Sequence, residues 1–81
     1  MRSKEVTIQF DDLDATFLGR IVQTASDHSC TIYLENGTKR VNAKSIMGMM
    51  ALVTESGRTY LLKTDGPDED EALEAMSVFF R

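Results

Sequence analysis

The sequence predicts an α+β domain of order β-α-β-β-α-β-α, with four strands and three helices, on three observations. Apolar residues alternate singly in some segments and recur at helical spacing in others, and the two patterns trade places along the chain. Turn signals separate these segments, Asn36-Gly37 most clearly. The strand faces carrying Thr7, Gln9, Thr31, Tyr33 and Lys63 are mostly polar, so one side of the sheet meets water and the helices cover the other.

Each element has its own signature. Glu5-Val6-Thr7-Ile8-Gln9-Phe10 alternates as a half-buried strand does, and Asp11-Asp12-Leu13-Asp14 breaks it. Leu18, Ile21, Val22 and Ala25 then form one stripe of an amphipathic helix, with Asp14 as its N-cap near the positive end of the helix dipole. Ser26-Asp27-His28-Ser29 is a polar loop. Thr31 to Glu35 alternates again, and Lys39 to Asn42 returns as a short strand after the turn. A short apolar helix follows Ser45, Glu55-Ser56-Gly57 turns the chain, and Arg58 to Thr64 is a strand built around Tyr60 and Leu62. After Asp65-Gly66-Pro67 the last helix opens on Asp68-Glu69-Asp70-Glu71, acids that suit its dipole. Leu73, Met76 and Phe80, with Ala72 and Phe79 beside them, give it an apolar stripe.

Composition bounds the function. A chain of 81 residues makes one domain, 1–81. A net charge of −4 argues against a nucleic-acid binder, which shows a basic face. The single cysteine, Cys30, permits no intramolecular disulfide and reads as a small apolar strand residue in a reducing compartment. No apolar run approaches the roughly 20 residues of a membrane-spanning helix. The start lacks the apolar core of a signal peptide, so a cytoplasmic protein is expected. There is no Ser/His/Asp set, no calcium-loop spacing in the acidic run, no phosphate-cradling glycine loop and no metal-ligand cluster, so neither enzyme, cofactor nor metal is expected. The lone His28 reads as a solvated loop histidine.

The stretch Lys44-Ser45-Ile46-Met47-Gly48-Met49-Met50-Ala51-Leu52 is where function is expected. Serine is a preferred N-cap, and five large apolar side chains follow it, three of them methionines. At about 100° per residue, Ile46, Met47 and Met50 fall on one arc while Met49, Leu52 and Val53 fall on the other. A chain this small does not enclose both arcs. One faces the core and the other faces outward as a binding surface, with Ser45 at its edge.

Several stretches resemble the HPr family of bacterial phosphocarrier proteins. The best runs from Val41 to Leu52 around Lys44-Ser45-Ile46-Met47-Gly48; others are Val22-Gln23-Thr24-Ala25-Ser26, Tyr33-Leu34-Glu35, and Asp65-Gly66 with Glu71-Ala72-Leu73. The resemblance covers nearly the whole chain and implies an open-faced β-sandwich, a four-stranded antiparallel sheet with three helices on one face. It also exposes a departure. The family's first helix opens with a His-Ala-Arg-Pro motif whose histidine carries a phosphoryl group in the sugar phosphotransferase system. Those positions here read Asp14-Ala15-Thr16-Phe17. Asp14 stands where the histidine would be, and a relay needs a nucleophile that presents a neutral nitrogen near pH 7.

The resemblance implies a role for Ser45 instead. In the Crh-type subgroup, which lacks that histidine, the equivalent serine is phosphorylated by HPr kinase/phosphorylase, and the product acts in carbon catabolite control. The implied partners are that kinase and either a LacI-type transcriptional regulator or a metabolic enzyme, with no direct contact to nucleic acid or membrane. A phosphate on Ser45 adds about −1.5 to −2 charges beside Ile46, Met47 and Met50, ready for an arginine on a partner. Lys39, Arg40 and Lys44 either steer an acidic kinase surface or form a solvated strand face. Three alternatives stay open: an unphosphorylated protein-binding module, a homodimer using the Ile46/Met47/Met50 patch, and a phosphocarrier component.

Overall fold

The computed structural model describes residues 1–7, 15–51 and 57–80. In order these form β1 (Arg2–Thr7), α1 (Ala15–Ser26), β2 (Thr31–Asn36), β3 (Lys39–Asn42), α2 (Ile46–Ala51), β4 (Thr59–Asp65) and α3 (Glu69–Ser77), which closes in a 3-10 turn at Val78–Phe80. The strands make one antiparallel sheet of order β1-β4-β2-β3, with Val6 opposite Tyr60, Leu34 opposite Leu62 and Leu34 opposite Val41. The predicted α+β architecture and its element order hold.

The core lies between one face of this sheet and the three helices. Val6, Ile32, Leu34, Val41, Tyr60 and Leu62 meet Leu18, Ile21 and Ala25 of α1, Met49 of α2, and Ala72, Met76 and Phe80 of the last helix. Phe17 and Phe79 join α1 to the chain's last turn edge-on, their rings 6.0 Å apart at 78°. Strand alternation therefore does what the sequence promised: buried residues recur at every second position of β4, from Tyr60 through Leu62 to Thr64. Thr64 is polar yet buried, and its hydroxyl donates to the Glu69 carbonyl at 2.8 Å, which fastens the start of α3 to the sheet. The Tyr60 hydroxyl is also buried and has no hydrogen-bond partner among the described residues.

The other sheet face is open. There Glu35 accepts from Lys63 at 2.7 Å and from Arg40 at 2.9 Å, and Arg40 lies 4.4 Å over the Tyr33 ring. Lys63 first, then Arg40, hold the Glu35 carboxyl below its ordinary value.

Two local expectations shift. β1 begins at Arg2, not Glu5, because its ladder to β4 starts at Arg2 opposite Thr64. Arg2, Ser3 and Lys4 are exposed on an edge strand, so no alternation announces them; the predicted end of that strand, residues 8–10, lies outside the described residues, as do the Asp14 cap and Leu52–Val53. In the hairpin, Asn36 pairs with Lys39, so the two-residue loop is Gly37-Thr38. Gly37 takes φ +60°, the left-handed value that a II′-class loop needs at its first position.

Candidate functional site

The approach to α2 is built by Asn42. Its side-chain oxygen accepts from the Lys44 N–H at 2.9 Å, and its carbonyl accepts from the Ser45 N–H at 3.0 Å, turning the chain out of β3. The Ser45 carbonyl then takes the Met49 N–H at 3.0 Å, and its hydroxyl takes the Gly48 N–H at 3.2 Å. Ser45 is thus the N-cap of a six-residue helix, half-buried at its mouth.

Packing decides which side of α2 is seen. Gly48 faces β3 so closely that a β-carbon there would stand 3.2 Å from Val41 Cγ1. Met49 is fully buried in the core. Ile46, Met47 and Met50 point away from it, 43%, 79% and 57% exposed. These three form an apolar face beside the serine, the division that 100° spacing predicts. Large apolar side chains gathered in the open are characteristic of contact surfaces.

The basic neighbours behave differently from one another. Arg40 belongs to the open sheet face described above. Lys39 is exposed. Lys44 is half-buried, and its ammonium donates to the His28 carbonyl at 2.8 Å, which ties the α1–β2 loop to the residue before Ser45.

His28 itself is a correction. It was expected to be solvated, but its side chain is only 15% exposed and its Nδ1 lies 3.0 Å from Asp68 Oδ2. The same carboxylate accepts from the Ser29 N–H at 3.1 Å and the Cys30 N–H at 2.9 Å. Burial works against the charge of Asp68, but these two N–H groups, with Cys30 and His28, outweigh it and hold the carboxyl at about 2. An ionised carboxylate only accepts, so the proton shared with His28 sits on Nδ1. Asp68 was expected only as one of the acids at the start of the last helix; it stands at the α3 N-cap position, its side chain makes no cap bond, and its carboxylate clamps the α1–β2 loop instead. Sequence proximity gave no sign of this pairing, since the partners are 40 residues apart.

Cys30 is enclosed as a small apolar residue is expected to be, but it lies in the loop just before β2 and not in the strand. It is buried, and burial, followed by Asp68, pushes its thiol up, which keeps it protonated and unreactive. Gly66 presses against it; a β-carbon at Gly66 would come within 2.7 Å of Cys30 Cα. Among the described residues no group of His, Cys, Asp and Glu side chains is arranged to hold a metal ion, and no helix is long and apolar enough to cross a membrane. Asp14, the expected position of the family histidine, lies outside the described residues.

Comparison with known proteins agrees with this fold. The family model described as PTS HPr component phosphorylation site matches residues 2–81. The HPr-like protein Crh of Halalkalibacterium halodurans is 42% identical over 80 residues, which span 98% of this chain and 95% of that protein. The crystal structure of HPr-C-His from Thermoanaerobacter tengcongensis superposes with a TM-score of 0.85 at 38% identity, over 99% of this chain and 91% of the other. Crh of Bacillus subtilis, whose crystal structure is described as a domain-swapped dimer, superposes with a TM-score of 0.70 at 40% identity, over 83% and 77%. With its fold and nearly its full length matched, the chain belongs to the HPr family.

Proposed function

We propose that this chain is a non-catalytic, regulatory HPr-family protein of the Crh type. HPr kinase/phosphorylase phosphorylates Ser45 in the cytoplasm, and the modified protein docks through Ile46, Met47 and Met50 to a transcriptional regulator or metabolic enzyme in carbon catabolite control. The observation that carries this reading is the placement of one serine hydroxyl at the edge of an exposed apolar face, on a chain whose first-helix motif reads Asp14-Ala15-Thr16-Phe17 in place of the phosphocarrier signature. The likeness to a protein named as HPr-like Crh supports it. A phosphate there changes the surface rather than the fold: it brings about −1.5 to −2 charges next to apolar side chains, a combination that an arginine set in an apolar pocket recognises.

The test is incubation with HPr kinase and ATP, followed by intact mass for the wild type and Ser45→Ala. A gain of one phosphate by the wild type alone is expected. No gain in either overturns the reading and shifts weight to a module that docks unmodified. Phosphoenolpyruvate-dependent labelling by the phosphotransferase enzymes is expected to fail; acid-labile, base-stable label on His28 would restore the phosphocarrier reading.

Self-association is a second reading, favoured by the dimer described for Crh of Bacillus subtilis. Light scattering of wild type against Met47→Asp separates the two: a dimer that the variant abolishes assigns the apolar face to a second copy.

A further inference from the structure

Two of the three large apolar side chains on the exposed face of α2 are thioethers. Met47 and Met50 stand three residues apart and Ile46 stands four from Met50, so all three share one side of the helix. Both methionines are open to solvent, whereas Met49 on the opposite side and Met76 in α3 are fully buried. A thioether is an apolar group that a mild oxidant turns into a polar one without cutting the chain, and attack follows access. Apart from the exposed Met1, the methionines are thereby sorted in advance, with the exposed ones on the α2 face and the buried ones in the core.

We propose that Met47 and Met50 are sites of reversible oxidation by peroxides, through which the α2 face is switched from apolar to polar. In each step the methionine sulfur takes one oxygen atom and loses two electrons to the peroxide. The O–O bond breaks and, with hydrogen peroxide, the remaining oxygen leaves as water. A thiol-dependent methionine sulfoxide reductase reverses the change. Once both sulfurs carry oxygen, Ile46 is the only large apolar side chain left on that side among the described residues, while Met49 and Met76 keep the core intact. That separation makes the modification a switch and not damage. Its consequence for docking rests on the function proposed above, but the chemistry and the change of surface do not.

The experiment uses the full chain and hydrogen peroxide, with peptide mass spectrometry over time and retention on a phenyl matrix as the measure of surface apolarity. Met47 and Met50 are expected to react about tenfold faster than Met49 and Met76 or more. Oxidised protein should elute earlier from the matrix, keep its circular dichroism, and regain its original retention after treatment with the reductase and dithiothreitol. Met1 is exposed as well, so the double variant Met47→Leu, Met50→Leu is treated in parallel and should show only the small shift that Met1 contributes. Oxidation of Met49 or Met76 as fast as Met47 would overturn the proposal, as would unfolding on oxidation or unchanged retention once Met47 and Met50 carry oxygen. The site mapping on wild type stands even if the double variant folds poorly. Failure of the function proposed above shows separately, as absence of a phosphate gain with HPr kinase.

Discussion

Ser45 is both the proposed phosphate acceptor and a structural cap, so replacing it tests two ideas at once unless their sizes are known. Ser45→Ala removes the hydroxyl that accepts from the Gly48 N–H at 3.2 Å. Cap deletions cost about 0.5–2 kcal/mol. This bond is longer than the typical 2.9–3.0 Å and half-open to water, which puts the loss near the low end, about 0.5–1 kcal/mol. For 81 residues, at about 2.1 cal/mol/K per residue, the unfolding entropy is about 0.17 kcal/mol per degree, so the melting temperature should fall by about 3–6 °C. Ser45→Asp keeps an acceptor at the cap and adds a negative charge at the helix start, worth about 0.3–1 kcal/mol; it should melt at or above the wild type at neutral pH. Thermal unfolding by circular dichroism, at matched concentration and salt, measures all three. An alanine variant within about one degree of wild type, or an aspartate variant as unstable as alanine, would refute the capping argument. The expected loss is small enough to leave Ser45→Ala folded, which makes its failure to gain phosphate a statement about chemistry.

Three further substitutions probe the frame that holds this site. Tyr60→Phe removes a buried hydroxyl with no partner among the described residues, and denaturant unfolding should show a gain of about 1 kcal/mol. Gly66→Ala places a methyl 2.7 Å from Cys30 at φ +149°, and the same assay should show a loss on the order of 2–3 kcal/mol. Asp68→Asn tests the loop clamp through pH. A carboxyl held below its ordinary value contributes stability that is complete above 3.8 and is lost as pH falls toward about 2. The variant should therefore be less stable at neutral pH, and its stability should fall less steeply over that acid window, measured as denaturant midpoints at each pH.

What could be read from the chain in advance was what depends on near neighbours. The two arcs of α2 follow from the rotation per residue, so Met49 and the Ile46/Met47/Met50 face separate before any coordinates are known. The β4 core residues follow from alternation in the same way. The start of β1 was missed because an exposed edge strand has no reason to alternate, and only pairing with Thr64 defines it. His28 and Lys44 were misjudged for a different reason. Their partners, Asp68 and the His28 carbonyl, are brought to them by the packing of α3 and α2, and nothing in the local pattern encodes such distances. Asp68 looked like one more acid at a helix start, yet the structure spends its carboxylate on another element.

The missing side chain at Gly48 has a consequence for the docking proposed above. With nothing between backbone and strand, α2 lies flush on β3, and its outward residues form a shelf whose tilt is dictated by the sheet beneath. A visiting surface therefore finds the three apolar groups already aligned and need not reorient the helix to reach them. Bulk introduced at 48 would lift the shelf and turn it, altering recognition without touching a single residue that the visitor contacts.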